Sequence, residues 1–441
     1  MLAQSFGCVR FVWNNTLAYR TEAYQQRGET LTHSAAEKRL VALKAEYPWL
    51  RDVSSVILQQ ALRDQKAAFD NFFNTKLKAR YPRFKAKDGR QSIRLTKAAF
   101  RYRDGEITIA KTKAPLPIRW SRPLPGAPSS VTLSRDRAGR YFISCLCEFT
   151  PEPLPFSPNT VGIDLGLTDL FITSQGQKSG NPRYLKRYAA KLAYLQRRLS
   201  KKQRGSNNRH KMRRKVARLH AKIADCRRDA MHKATRTLVN ENQVICVETL
   251  NITGMLKNRT LARAISDAGW GEFLRQLAYK ADWAGRQLIQ VSRWLPSSKT
   301  CHHCGHKIKK LPLSQRHWHC DGCGQAIDRD INAARNIETA GRAEVACGAT
   351  GSGLWPDRHG LVKARGSRKV LGVTREPSPK AHSAAGGEYQ RYAAAEQQKP
   401  VHGVEVLRLG IVAGKTLSVR LNFVKKCCFR LPLGQVVIVI K

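Results

Sequence analysis

Residues 301–337 read CHHCGHKIKKLPLSQRHWHCDGCGQAIDRDINAARNI. Cys301 and Cys304 form one C-x2-C pair, Cys320 and Cys323 a second, with fifteen residues between the pairs. Thiolates at that spacing close a tetrahedral zinc site, the arrangement of a zinc ribbon. His302, His303, His306, His317 and His319 flank the thiols and could substitute for one of them, yet four cysteines already complete the tetrahedron. With no position left for water, the zinc is read as structural. Asp328-Arg329-Asp330-Ile331-Asn332 follows at once, so the expected metal stands beside a candidate catalytic acid.

Two more acids close apolar strands upstream. Asp164 lies in Val161-Gly162-Ile163-Asp164-Leu165-Gly166, and Glu248 ends Val244-Ile245-Cys246-Val247-Glu248. Asp330 stands just before Asn332-Ala333-Ala334, which reads as a helix start. Such acids point out at the end of a sheet, where ligands bind in α/β folds. Three carboxylates brought together can hold two divalent ions about 4 Å apart for phosphodiester hydrolysis. Hard oxygen ligands select magnesium or manganese over zinc. Taken singly, each acid is more often a surface residue at a strand end; the ordered trio with a ribbon before its last member is the specific signal. Asp328 is the second choice for the third acid and is read instead as a turn acid that caps the helix.

The chain has 441 residues, with 79 Lys and Arg against 32 Asp and Glu, a net charge of +47. A surplus that large repels itself unless a polyanion neutralises it, so the expected partner is nucleic acid. A membrane fits poorly: no apolar run approaches the ~18–20 residues of a spanning helix, and the start MLAQSFGCVRFVWNN is not a signal peptide. C-x2-C pairs in a large basic chain read as reduced thiols in a cytoplasmic protein, nucleoid-associated when bound to DNA. Cys8, Cys145, Cys147, Cys226, Cys246, Cys347, Cys427 and Cys428 are read as core filler.

Apolar spacing predicts helices over residues 1–80, with Val9, Trp13 and Leu17 on one and Val56, Leu58, Leu62 and Phe69 on another. Residues 81–155 read as short strands (Glu106 to Ala110, Val131 to Ser134, Tyr141 to Phe149) forming a small β-barrel or sandwich. Residues 156–296 alternate strands and helices, which predicts an α/β core interrupted by a basic helical insertion. There Arg197, Arg198, Lys201, Lys202, Arg204, Arg213, Arg214 and Lys215 crowd around a charged turn. Such density suits phosphate tracking better than an ordinary solvated face. Trp270 and Phe273, at helical spacing with Leu277, read as core rather than base-stacking residues. The ribbon takes 297–326, the end of the core 327–343, and a Gly-, Ala- and Ser-rich tail 344–441 reads as disordered or unrelated. Its last stretch, Val436 to Ile440, is too short to span a membrane.

Five stretches in order, GIDLG (162–166), VETLNITGM (247–255), ISDAGWGEF (265–273), the ribbon and DRDINAARNI (328–337), resemble the transposon-encoded TnpB (OrfB) proteins. The resemblance covers roughly residues 1–340. It implies an RNA-guided DNA endonuclease related to type V CRISPR effectors, with a RuvC core of RNase H-like fold, a helical recognition lobe and a β-barrel wedge domain. It implies Asp164, Glu248 and Asp330 as ligands of magnesium or manganese, a guide RNA from the transposon end, and double-stranded target DNA. Two departures are expected to matter. Such proteins open with a strand, whereas Met1 falls where the first recognition helix starts, so a sheet edge should be left unpaired; and the tail past residue 343 matches no part of the family. A non-cleaving RNA-guided binding or transposition accessory protein is the second reading. A DNA-joining transposase is the third, and it lacks a Tyr-HUH signature.

Overall fold

The computed structural model describes residues 1–312 and 314–346, and the backbone of 435–440. The N-terminal half opens with α1 (Leu2–Arg27), α2 (His33–Glu46) and α3 (Ser55–Phe73). Val9, Val12, Trp13 and Leu17 are buried along α1 at the expected three- and four-residue spacing. Gly28, at φ 66°, donates back to Tyr24 and ends α1, because a left-handed cap suits a residue without Cβ. Thr32 caps α2 by accepting from the Ala35 amide at 3.2 Å. The stretch after α3 lies along α1: Trp13 Nε1 donates to the Arg83 carbonyl, and Asn14 pairs with the Lys85 backbone in both directions.

Strands follow: β1 (Gln91–Thr96), β2 (Phe100–Arg103), β3 (Glu106–Ile109), β4 (Ile118–Arg119), β5 (Ser130–Arg135) and β6 (Tyr141–Leu146). They form a five-stranded sheet of order β1-β5-β6-β13-β4, in which β13 is Gln435–Ile440, and a separate β2–β3 hairpin that packs into the same core through Ile107 and Ile109. One core unites this sheet with the helices, since Val12, Leu43, Leu58 and Leu62 pack with Ile93, Leu133 and Ile143. Helix and sheet faces are each apolar on one side only and bury each other, so the core runs straight across the boundary expected at residue 80. The sheet's fourth strand, β13 (Gln435–Ile440), comes from the far end of the chain. These six residues therefore form a strand where disorder is expected, and they cover the second edge of β6. The rest of the tail, with Cys347, Cys427 and Cys428, lies outside the described residues.

The second half contains β7 (Thr160–Leu165), β8 (Phe171–Thr173), α4 (Tyr184–Arg187), α5 (Ala189–Ser200), α6 (Asn207–Glu241), β9 (Val244–Glu248), α7 (Ile252–Met255), α8 (Ala262–Ala268), α9 (Trp270–Trp283), β10 (Gln287–Val291), the ribbon hairpin β11 (His317–His319) and β12 (Ala326–Asp328), and α10 (Arg329–Ala346). The main sheet has order β10-β9-β7-β8, parallel across β10, β9 and β7, with β8 antiparallel at the edge. Its two faces follow the period-two alternation of strands. Val161, Ile163, Ile245 and Val247 pack toward Phe273 and Leu277 of α9. Cys246 and Ile289 pack toward Ile337 of α10 on the other face. Trp270 and Phe273 are buried in that core, as their spacing predicts.

α10 lies unusually close to the sheet, and two glycines permit it. A Cβ on Gly162 would meet the Ala334 carbonyl oxygen at 2.0 Å, and one on Gly341 would meet Cys246 Sγ at 2.2 Å. The basic insertion is a helical hairpin, α5 and α6, closed by Leu192, Leu219 and Ile223. Ser206 caps α6 through the Arg209 amide at 3.2 Å.

Candidate active site and zinc ribbon

Asp164 and Glu248 belong to the α10 face of the sheet. The parallel register pairs Gly162 with Cys246 and Ile163 with Val247, and one step further brings Asp164 alongside Glu248. The first turn of α10 supplies Asp330. All three line one cavity of about 550 Å³ at the C-terminal end of the parallel strands. The loops Leu165–Asp169 and Leu295–Lys299 form much of the rest of its wall, and Lys299, Lys307, Arg316 and Arg329 give the acids a basic rim.

The electrostatics report the crowding. Burial, and then the charges of Glu248 and Asp330, push the Asp164 carboxyl up to about 7 against the pull of Arg329 and Arg316. Burial also raises Glu248. Arg316, from the ribbon, donates to both Asp330 oxygens at 3.1 and 3.2 Å and neutralises one of the three acids. Sequence spacing gives no sign of that pair. Asp328 plays the capping part expected of it: its Oδ1 accepts from the Asp330 and Ile331 amides. Partial burial would raise Asp328, but Lys178 at 2.7 Å and the two amides outweigh it and hold the carboxyl below its ordinary value.

The ribbon thiols gather tightly. Cys301, Cys304, Cys320 and Cys323 place their sulfurs within 4.8 Å of one another, with Cys301–Cys323 at 3.7 Å and Cys304–Cys320 at 3.4 Å. A tetrahedron of Zn–S bonds near 2.3 Å has sulfur–sulfur edges of about 3.8 Å, so the donor set fits zinc. Gly305 and Gly324, at φ 76° and 69°, turn each knuckle and donate back to the Cys301 and Cys320 carbonyls. Among the described residues this is the one group of three or more Cys, His, Asp or Glu side chains gathered closely enough for a single ion. The flanking histidines are not in it. The acid trio shares a cavity without forming so compact a group.

Asn332, read from the sequence only as part of a helix start, and Asn336 bolt ribbon and acid together. Asn332, buried in α10, donates to the Thr300 and Ser297 carbonyls and accepts from the His302 amide at 2.9 Å. Asn336 donates to the same two carbonyls at 2.7 Å. These bonds fix the start of α10 to the first cysteine pair, and Asp330 stands on that turn.

Of the predicted phosphate-tracking residues, Arg197, Arg198, Lys201, Arg204, Arg213, Arg214 and Lys215 are exposed around the α5–α6 tip, and Lys202 is half-buried. Arg213 pairs with Asp88 at 2.8 Å, and Arg198 donates to the Tyr194 hydroxyl. Arg209, which the sequence reading passed over, holds the turn by donating to the Leu199 and Lys202 carbonyls. At the base of the hairpin Asp267 receives Arg227 at 2.6 Å and the Leu185 amide, a structural use of the acid in ISDAGWGEF.

Known proteins share these parts. A model described as "Probable transposase" (OrfB) matches residues 144–259, which include Asp164 and Glu248. A "Cas12f1-like, TNB domain" model matches 270–337, which include the ribbon and Asp330. A protein of Streptomyces pristinaespiralis named "Putative RNA-guided DNA endonuclease" is 50% identical over 373 residues, 83% of this chain and 91% of its own. The chain belongs to the TnpB (OrfB) family. A second relative, "Putative RNA-guided DNA endonuclease InsQ" of Escherichia coli K12, is 36% identical over 367 residues, 78% of this chain and 89% of its own. A "TnpB-like protein L79" of Acanthamoeba polyphaga mimivirus is 28% identical over 237 residues, half of this chain and 45% of its own. A "Helix-turn-helix domain" model also matches residues 1–29, which here are α1 with its cap. No helix among the described residues is long and apolar enough to cross a membrane.

Proposed function

We propose that this TnpB-family chain is an RNA-guided DNA endonuclease whose cutting depends on divalent metal ions. The observation that carries the reading is the convergence of Asp164, Glu248 and Asp330 on one basic-rimmed cavity at the C-terminal end of the parallel strands. The carboxylates would hold magnesium or manganese through hard oxygen donors. Bound ions of this kind supply a low-pKa water and charge stabilisation at a leaving oxygen. Lys299 and Lys307 on the rim draw a phosphate toward the acids, while the Arg316 pair holds Asp330 in place. The zinc ribbon is the brace for that turn, and the exposed cations of the α5–α6 hairpin track nucleic-acid backbone. Guide RNA would supply sequence recognition, leaving the protein to read duplex shape and a short flanking motif, the division of labour described for another RNA-guided effector. RNA from the transposon end and double-stranded target DNA are its partners in this reading.

The test uses the protein with the RNA that copurifies with it, acting on supercoiled plasmid with varied sequence beside the target. Asp164→Ala should abolish cutting and leave RNA and target binding nearly intact, and EDTA on the parent should do the same. Guide-dependent cutting by Asp164→Ala within about tenfold of the parent, roughly 1.4 kcal/mol in the barrier, would remove this acid from the mechanism. No cutting by the parent, with binding retained, would favour the non-cleaving binding protein.

A further inference from the structure

The N-terminal sheet holds a strand that arrives from the far end of the chain. β13 lies antiparallel to β6, from Gln435 opposite Leu146 to Ile440 opposite Tyr141. On its other side Val439 and Ile440 stand opposite Arg119 and Ile118 of β4. All six residues of β6 are therefore paired on both sides, by β5 and by β13.

Of its two neighbours, β4 depends on this strand and β6 is covered by it. Ile143 and Cys145 of β6 are fully buried, so β6 is fixed in the core whether or not its second edge is covered. An uncovered edge would leave a row of backbone donors and acceptors open beside an apolar core. β4 is joined to the sheet through β13 and through no other strand among the described residues. The sequence of β13 suits the position: Val436 to Ile440 are all β-branched and uncharged, the residue class that favours strands. In register Val436, Ile438 and Ile440 stand across from Cys145, Ile143 and Tyr141, the β6 residues that enter the core or pack against it.

We infer that the gap between β6 and β4 is a strand-acceptor seat, and that its occupant is Gln435–Ile440 of the same chain, which latches β4 and the segment after it to the sheet. β6, the strand along the other side of the latch, leads to Phe149, whose ring meets Trp283 of α9 edge-on at 5.2 Å, so β13 covers the strand that runs to the contact between the two halves. The pairing is by backbone hydrogen bonds, which tolerate exchange of one β-branched side chain for another.

Hydrogen exchange on the full chain tests the seat. Successive residues of an inner strand face opposite neighbours, so the double variant Val439→Pro/Ile440→Pro, at the two positions that stand opposite both β6 and β4, removes one amide facing each, whichever is which. In the parent, amides of 435–440 and 141–146 should both be slowed, by about a hundredfold or more over free chain. In the proline variant those of 141–146 should exchange at least about tenfold faster, while 244–248 in the other sheet stay within about twofold. Ile438→Val should leave every one of these rates unchanged. Exchange of 435–440 at the free-chain rate in the parent would overturn the inference, as would undiminished protection of 141–146 in the proline variant. A dimer by light scattering that keeps 435–440 protected would assign the strand to a second copy and overturn the intramolecular seat.

Discussion

Asp164 is where sequence, burial and chemistry meet in one side chain. Its carboxyl is raised from 3.8 to about 7 by burial and by Glu248 and Asp330. The folded protein therefore binds a proton there that the unfolded chain releases, over the window from about pH 4 to 7. That contribution favours the fold at the acid end and is lost as pH rises through about 7, where the buried Asp164 carboxyl ionises beside the charges of Glu248 and Asp330. Under the proposed function divalent ions bind the ionised form, so their stabilisation should grow across the same window. Magnesium is expected to raise the melting temperature by about 3 °C or more at pH 8 and by little at pH 5.5. Asp164→Asn should flatten the dependence both with and without the ion. Differential scanning fluorimetry over pH checks this, and an equal magnesium effect at both ends of the range would contradict it.

Elements place the acids, and here the sequence was partly legible. β7 and β9 announced themselves as continuous apolar runs ending in a carboxylate, and α9 by its helical spacing. β1 and β2 were missed because Arg94, Arg101 and Arg103 interrupt their apolar pattern; β4 is two residues long. The Arg316–Asp330 pair and the Asn332 bolt join residues from different elements, and periodicity carries no information about them. The same holds for β13, whose partners are some three hundred residues away in sequence. Gly162 is the clearest element-scale prediction. Its backbone touches α10 so closely that a methyl group meets backbone atoms, the Ala334 oxygen at 2.0 Å and the Glu338 nitrogen at 2.7 Å, and neither can turn aside. Gly162→Ala should cost at least about 1–3 kcal/mol by overpacking and displace Asp330 along with the helix, which a denaturant melt and a cleavage assay would register together. Cys304→Ser acts on the same helix from the other end. Losing a thiolate removes binding free energy that is also folding free energy, and the Asn332 bonds to the knuckle should loosen with it. Zinc content should fall well below one per chain, and full one-to-one occupancy in that variant would remove Cys304 from the site.

At the scale of the whole molecule the excess of 47 positive charges favours a polyanionic partner, and the α5–α6 hairpin exposes a dense cluster of them. Not all of its cations are equally available. Arg213 already has Asp88, and Arg209 is spent on closing the turn. Arg197, Lys201, Arg204 and Arg214 project from the tip, and the rival view is that they only solvate it. The two views differ in salt dependence, because each phosphate neutralised releases counterions and adds close to one unit to the slope of log affinity against log salt. Replacing these four by glutamine should reduce that slope by about three to four and weaken binding to unrelated sequences as much as to the target. Chemistry at low salt should survive, since none of the four lines the acid cavity. Titrating guide-loaded protein with labelled target over a range of potassium chloride measures the slope directly. An unchanged slope would mark the hairpin tip as a solvated face and move the search for the polyanion track to other basic surfaces of the chain.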